Sequence, residues 1–439
     1  MNAKPRLLFV SPQFLFPLDA GGKIRTVNIL RHMKGGAFEI ELVMPATEAQ
    51  LAHYATEIAA VCDYCKAWRP AGSGVGRKIH RFAGLVTGYP IAVWSDRTRA
   101  GRRAVADAIK RGPDVVVFDF THAAVLRPPK LQFRSVLFTH NVETEIFRRH
   151  AAIAKWPIRF LWRSEHAKMA RYERHAVQRF DTVIAVSERD SQRFQNDFGV
   201  HDVRVIPTGV DLTYFAHQLP PRDGAPVVAF TGSMDWRANV DGIQWFMNEV
   251  WPLVARKCPR AGFRAVGRNP PESMIAEAQK RGFAWEFTGF VDDIRDHVRD
   301  ALVYVIPLRV GGGTRIKAYE AMAMGTPVVS TGLGVEGLPL EHDVHYLRAD
   351  DPENFADTIV KLLRNQELRE RVSMSARTLV ENSFGAEKVA SVFENICLDT
   401  GGLNGRAPED SSLSPHGYTA VSVTKAVRVS RRLPGSGLG

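Results

Sequence analysis

Short apolar runs recur along this chain, and the polar stretches between them carry apolar residues at helical spacing. Arg6–Val10 reads as a first strand. Ile24, Val27, Leu30 and Met33 then recur every third residue and predict a helix. Further apolar runs at 38–43, 114–118, 135–138, 181–186 and 203–207 predict strands with helices between them. A second series follows at 227–231, 262–267, 285–289, 301–306 and 327–330. The β-branched and aromatic run at 303–306 marks a strand buried in a parallel sheet. Two such series predict an α/β chain of two doubly wound domains, with a ligand cleft at the carboxyl ends of the strands.

The pattern breaks at 208–226, where Pro220, Pro221, Gly224 and Pro226 mark a linker. The expected domains are therefore 1–207 and 227–383, with helix over 353–398. Residues 400–439 are rich in Gly, Ser, Pro and Arg without periodicity, so a disordered tail is expected there.

The densest signal lies in Val303–Thr331, which predicts strand, glycine-rich loop, helix, tight turn and strand. Gly311, Gly312 and Gly313 let the backbone come close to a ligand, and Thr314 is placed to cap the helix. A helix N-terminus fed by such a loop offers free N–H groups and a positive dipole end, which suits a phosphate. Gly325 marks the helix end. Ile316, Tyr319 and Ala323 share an apolar face, and Glu320 falls beside it. A carboxylate in that position must find donors, either Lys317 three residues earlier or ligand hydroxyls such as those of a ribose.

Composition changes the picture mainly through charge. The 439 residues are enough for two cores, and 45% hydrophobic with 24% charged is ordinary for a globular protein. No apolar run is long enough to span a membrane, and Pro12 breaks the N-terminal run, which reads as strand and loop and not as a signal peptide. A net charge of +11 biases partners toward anions. No zinc-finger, RRM or KH motif accompanies it, so nucleic acid is not an expected partner. Four cysteines make no disulfide framework at this length, which implies a reducing, cytoplasmic compartment. Cys62-x-x-Cys65 lacks a second ligand pair for a metal. Between 77 and 103, and again between 144 and 181 with Trp156, Phe160 and Trp162 interleaved, cations outnumber acids. Such a face suits an anionic membrane surface, or else it is a solvated helix with its aromatics in the core.

Glu320-Ala321-Met322-Ala323-Met324-Gly325-Thr326-Pro327-Val328-Val329, behind Gly311-Gly312-Gly313-Thr314-Arg315, resembles the donor site of GT-B glycosyltransferases of the group 1 or family 4 type. The resemblance runs over residues 5–398. It includes Asp19-Ala20-Gly21-Gly22 in the first loop, Phe138-Thr139-His140-Asn141 at a strand end, and Ile206-Pro207-Thr208-Gly209-Val210-Asp211 before the linker. It implies two Rossmann-like domains, with a last helix near 384–398 crossing back onto the first. It also implies transfer of a sugar, with retention, from a nucleoside-diphosphate sugar to a glycan or lipid-linked acceptor. No metal or other cofactor is expected, because cations and a helix dipole serve the diphosphate in this fold.

By the same resemblance, His140 stands near the acceptor and donor sugar, where it would hydrogen-bond the sugar or orient the acceptor hydroxyl; Arg315 and Lys317 are expected beside it at the reaction centre. Gly21, Gly22, Phe287, Thr288, Gly289, the 311–314 loop and Glu320 hold the donor, with Glu320 on the ribose. Three departures matter: Gly312 stands where members carry a first glutamate, and Ser233 and Ala238 replace the Arg and Lys that clamp the diphosphate. Arg237, Arg309, Arg315 and Lys317 are the available replacements. Asp292 is expected to cap a helix starting near Ile294 and not to bind metal. The N-terminal motifs most resemble sugar transferases of bacterial exopolysaccharide systems, including exosortase-associated ones, working in the cytoplasm with peripheral contact on the membrane's inner face. The competing readings are a nucleotide-sugar epimerase or hydrolase of the same fold, and a catalytically silent scaffold.

Overall fold

The central strands carry apolar residues on both faces, and such strands can be buried only between two layers. β1 (Arg6–Val10), β2 (Glu39–Pro45), β3 (Tyr64–Trp68), β4 (Val115–Asp119), β5 (Arg134–Phe138), β6 (Thr182–Ala185) and β7 (Val203–Val205) form one parallel sheet. Its order is β3-β2-β1-β4-β5-β6-β7. β8 (Val227–Thr231), β9 (Gly262–Val266), β10 (Trp285–Gly289), β11 (Ala301–Ile306), β12 (Val328–Ser330) and β13 (Leu347–Arg348) form a second, of order β10-β9-β8-β11-β12-β13. In both sheets the winding direction reverses beside the first strand, which opens a crevice at the carboxyl ends of β1 and β4 and of β8 and β11. The structure is a computed structural model and describes residues 3–70, 84–154, 156–216, 225–310 and 315–404. Both sheets lie within one compact unit, Met1–Asn404.

The strand period of two sorts side chains between the two layers. Leu7 and Phe9 join a core with Val117 and Phe138, while Leu8 and Val10 join the opposite one with Val116 and Phe118. The final helix, Ala386–Gly401, returns to the first sheet, where Val389, Phe393 and Ile396 complete the Leu7 core. Phe393 meets Phe138 edge-on at 5.1 Å. The chain thus passes between the halves twice, at 209–210 and at 384–386, and the two passages are bonded together. Val210 N–H donates to Phe384 O and Ala386 N–H to Val210 O, each at 2.8 Å. A Cβ on Gly209 would stand 2.9 Å from the Ala386 Cα, so the crossing admits no side chain there.

Several local expectations need correction. β3 went unforeseen because Tyr64 and Cys65 are exposed on this edge strand, leaving no apolar run to read. Asp293, not Asp292, serves the short Arg295–Val298 helix: its Oδ1 accepts the Arg295 N–H at 2.9 Å. The helix of the donor motif is Ile316–Ala323, so Arg315 is its N-cap, left-handed at φ 52°, and not part of its first turn. Gly311–Thr314, residues 217–224 of the expected linker and the tail beyond 404 lie outside the described residues.

Candidate active site

In the second sheet, Gly232, Gly267 and Gly289 stand together at the carboxyl ends of β8, β9 and β10. Gly267 N–H donates to Gly289 O at 3.2 Å, and a Cβ on Gly267 would lie 2.1 Å from Gly232 O. Backbone therefore meets backbone here. Phe287 and Thr288 precede Gly289 on β10, and the Thr288 hydroxyl donates to Gly289 O at 3.0 Å.

A Cβ on Gly232 would fall 2.9 Å from Lys317 Nζ, so this glycine makes room for the lysine. Lys317 comes from the first turn of the Ile316–Ala323 helix. Its ammonium donates to Thr231 O (2.8 Å) and Asn239 Oδ1 (3.1 Å) and sits over the Phe230 ring at 4.3 Å. Burial, seconded by the charge of Arg315, pulls its pKa down to about 7. Glu320 lies three residues on. Burial pushes its pKa up to about 7 against the opposing pull of Lys317. Among the described residues, nothing donates a hydrogen bond to its carboxylate. Arg315 is 5% exposed, and burial draws its pKa down to about 10. Glu336 favours its charge, and Arg149 of the first half opposes it. Glu336 also receives Arg189 of the first half at 2.9 Å.

The other candidate cations divide. Arg237 is exposed at the first residue of the Arg237–Trp245 helix, at the mouth of the same region. Arg309 grips Asp241 with two bonds of 2.9 and 3.1 Å and is committed there. Ala238 is buried in the core. Ser233 has a cation that sequence reasoning missed: Arg268 Nε donates to Ser233 Oγ (3.2 Å) and Asp235 Oδ2 (2.7 Å). Its signal was available, because Arg268 follows Gly267 at a strand's carboxyl end in the predicted cleft.

In the first sheet, Gly21 and Gly22 open the Gly21–Met33 helix. A Cβ on Gly22 would stand 2.5 Å from the Phe120 ring, so the glycine keeps that helix against Phe120. Phe120 follows β4 with φ 66°, a strained conformation for an aromatic residue, and its ring stacks on His140 at 3.9 Å. His140 lies just past β5 and is 2% exposed. Its Nε2 is 2.7 Å from Asp119 Oδ1, and its Nδ1 is 3.3 Å from Arg25 Nη1. A guanidinium only donates, so Nδ1 accepts, and the proton sits on Nε2 facing Asp119. Burial lowers the His140 pKa despite Asp119, which leaves a neutral ring between a buried anion and a buried cation. Asp119 also accepts from Ser11 and Thr26, and Arg25 donates to Thr208. Both ring nitrogens are therefore engaged within the protein. Toward the cleft, the contact that His140 makes is its stack against Phe120. Arg25, Asp119 and Phe120 were not singled out in the sequence. Asp119 and Phe120 end a predicted strand at the cleft, whereas nothing in the helical pattern distinguishes Arg25.

Among the described residues, no three His, Cys, Asp or Glu side chains converge to hold a metal ion, and no helix is long and apolar enough to cross a membrane.

Residues 21–214 match the family described as Glycosyltransferase Family 4, and residues 225–365 match Glycosyl transferases group 1. The phosphatidyl-myo-inositol mannosyltransferase of Mycobacterium leprae is 32% identical over 224 residues, 48% of this chain and 59% of that protein. An uncharacterized 44.6 kDa protein in the cps region of Klebsiella pneumoniae is 25% identical over 175 residues, 38% of this chain and 45% of that protein. The chain thus spans about half the length of these curated relatives. Among solved structures, Anabaena Alr3699/HepE in complex with UDP superposes with a TM-score of 0.64 at 14% identity, covering 89% of this chain and 99% of that one. Sucrose-phosphate synthase from Thermosynechococcus elongatus gives 0.65 at 16%, covering 90% and 98%. At these identities the likeness is one of fold.

Proposed function

The chain belongs to the group 1 glycosyltransferases of the GT-B fold, and on that premise we propose that it moves a sugar, with retention, from a nucleoside-diphosphate donor to a saccharide or lipid-linked acceptor. The observation that carries this reading is Glu320. Glu320 is half-buried at the cleft, and its carboxylate takes no hydrogen bond from the described residues, which leaves it open to the hydroxyls of a ligand. A ribose does so, and it would set the diphosphate toward Lys317, Arg315 and the start of their helix. The UDP held by the structural neighbour Alr3699/HepE supports a nucleotide in this cleft. The cps-region relative supports a role in exopolysaccharide or cell-surface glycan synthesis.

In this reading Lys317 and Arg315 replace the clamp missing at Ser233 and Ala238, with Arg237 and Arg268 nearby. They stabilise charge as it develops on the leaving diphosphate, together with N–H groups at the helix start. The acceptor oxygen bonds the anomeric carbon on the face that the diphosphate leaves, and its proton passes to a donor phosphate oxygen. His140, Asp119 and Arg25 fix Phe120 on the acceptor side, so His140 is a positioning residue. Closing the halves excludes water.

Incubation with UDP-, GDP-, ADP- and dTDP-sugars, with and without glycan acceptors, tests the proposal. One donor should release its nucleoside diphosphate faster when acceptor is present. An epimerised donor or hydrolysis indifferent to acceptor would replace the transferase reading with the epimerase or hydrolase one. Failure to bind any of the nucleotides would leave the silent scaffold.

A further inference from the structure

The first half carries a bare apolar tip. The helices Glu143–Ile153 and Ile158–Val177 pack against each other as a hairpin. Its base is locked: buried Glu173 accepts the N–H groups of Glu143 (2.9 Å) and Thr144 (2.7 Å) at the start of the first helix. Its middle is packed, with Trp162 stacked on His150 at 4.6 Å and edge-on to Phe147 at 5.7 Å. Trp162 is thus half-buried against its neighbours. The tip is the opposite: Trp156 is 79% exposed, Ile158 59%, Phe160 60% and Leu161 43%. Large apolar side chains crowded into so short a stretch of surface mark an interaction site.

A second apolar point is tied to the same helix. Lys168 Nζ donates to Gly84 O (3.1 Å) and Leu85 O (2.9 Å), which holds the neighbouring Val86, 90% exposed, against it. Lys168 and Leu161 are seven residues apart, two turns along one helix face, so both apolar points lie on one side.

The charge around the tip selects its occupant. From 146 to 164 the sequence contains no Asp or Glu but has Arg148, Arg149, Lys155, Arg159 and Arg163. Arg148 and Arg149 are ion-paired with Glu145, at 2.6 and 3.0 Å, and it is Arg159 and Arg163 that stand exposed among the apolar residues. A second copy of this face would bring cation against cation. Tryptophan at a water–apolar boundary with flanking arginines suits a lipid surface, where the rings enter the headgroup layer and the guanidinium groups stay among phosphates. We propose that the 156–161 hairpin tip, with Val86 beside it, inserts into the interface of an anionic lipid bilayer and docks the first half there. The proposal is independent of the sugar-transfer reading, and its test needs no sugar donor.

The full chain is sedimented with vesicles of phosphatidylcholine alone and of phosphatidylcholine with phosphatidylglycerol, at low and high salt. Binding to the anionic vesicles should dominate and weaken with salt without vanishing, because the apolar part is unscreened. The variant Trp156→Ser/Ile158→Ser/Phe160→Ser should lose roughly tenfold or more of its binding at both salt levels. Arg159→Glu/Arg163→Glu should abolish the preference for anionic vesicles; it carries the test by itself if the triple variant fails to fold. Wild-type protein that binds neither vesicle, or either variant binding like wild type, overturns the proposal. So does self-association without vesicles that the triple variant removes, which would assign the tip to a second copy.

Discussion

Lys317 and Glu320 are held three residues apart in a setting that disfavours both charges, and their behaviour should report the ligand. Glu320→Ala is expected to cost roughly 1.5–3 kcal/mol of nucleoside-diphosphate binding, the usual worth of a charged hydrogen-bonded contact. Calorimetric affinity within twofold of wild type, in a folded variant, would remove Glu320 from the ribose. The Lys317 pKa is depressed from 10.5 to about 7, so its contribution to stability is complete above 10.5 and is lost as pH falls through about 7. Glu320 runs the other way: raised from 4.5 to about 7, its contribution is complete below 4.5 and is lost as pH rises through about 7. A bound diphosphate favours the charged ammonium, so binding above about pH 7 should take up a proton and weaken as pH rises toward about 9. Calorimetry in buffers of different ionisation enthalpy measures that uptake, and Lys317→Met should erase it. A pH-independent affinity would take Lys317 off the diphosphate.

His140 is a different kind of residue. His140→Ala would strand Asp119 without one donor and Arg25 without one acceptor, and should destabilise the protein by about 2–4 kcal/mol while lowering transfer more than nucleotide binding. His140→Gln keeps one acceptor and one donor in similar places. If the role is to position Phe120, Gln should recover most of the stability and much of the turnover. A Gln variant as inactive as Ala would return His140 to direct chemistry.

At the scale of elements, legibility followed burial. β1, β8 and β11 were read to within a residue because a strand covered on both faces writes itself as an apolar run. β3 was lost because its first half faces solvent. The helix start at Ile316 was displaced because Arg315 takes a left-handed conformation that its side chain does not announce. The contact between the turns after β8 and β9 was also silent, since it is made of backbone. Gly267→Ala forces a Cβ onto the Gly232 carbonyl, which no side-chain rotation relieves. It should cost about 1–3 kcal/mol of stability and displace Ser233 and Arg268 together. Thermal unfolding and nucleotide affinity are the readouts, and wild-type values for both would mean that the two turns separate freely.

For the molecule as a whole, the paired passages at 209–210 and 384–386 are the only described places where the chain itself passes between the halves. In the proposed reading, closure over a donor bends at these passages. Gly209→Ala, whose new methyl meets Ala386, should therefore change kcat and KM together while leaving nucleotide affinity near wild type. Loss of nucleotide affinity in proportion to turnover would show that the substitution damages the second half itself. The exposed Arg189–Glu336 pair also links the halves, but it is screened by solvent and adds little to stability by itself.

The amino-acid sequence by itself determined the class of fold, the two series of strands apart from β3, and a helix bearing Lys317 and Glu320, because burial and helical period act locally. Tertiary structure alone decided which groups complete one another. Arg25, Asp119 and His140 lie on three separate elements, and only the order of β1, β4 and β5 brings them together. Arg268 reaches Ser233 only because β9 pairs with β8. Trp156 and Trp162 look alike in sequence, yet one is bare and the other packed, since hairpin geometry sets which indole finds a neighbour. Charge neutralisation and side-chain packing depend on distance through space, and distance along the chain does not report it.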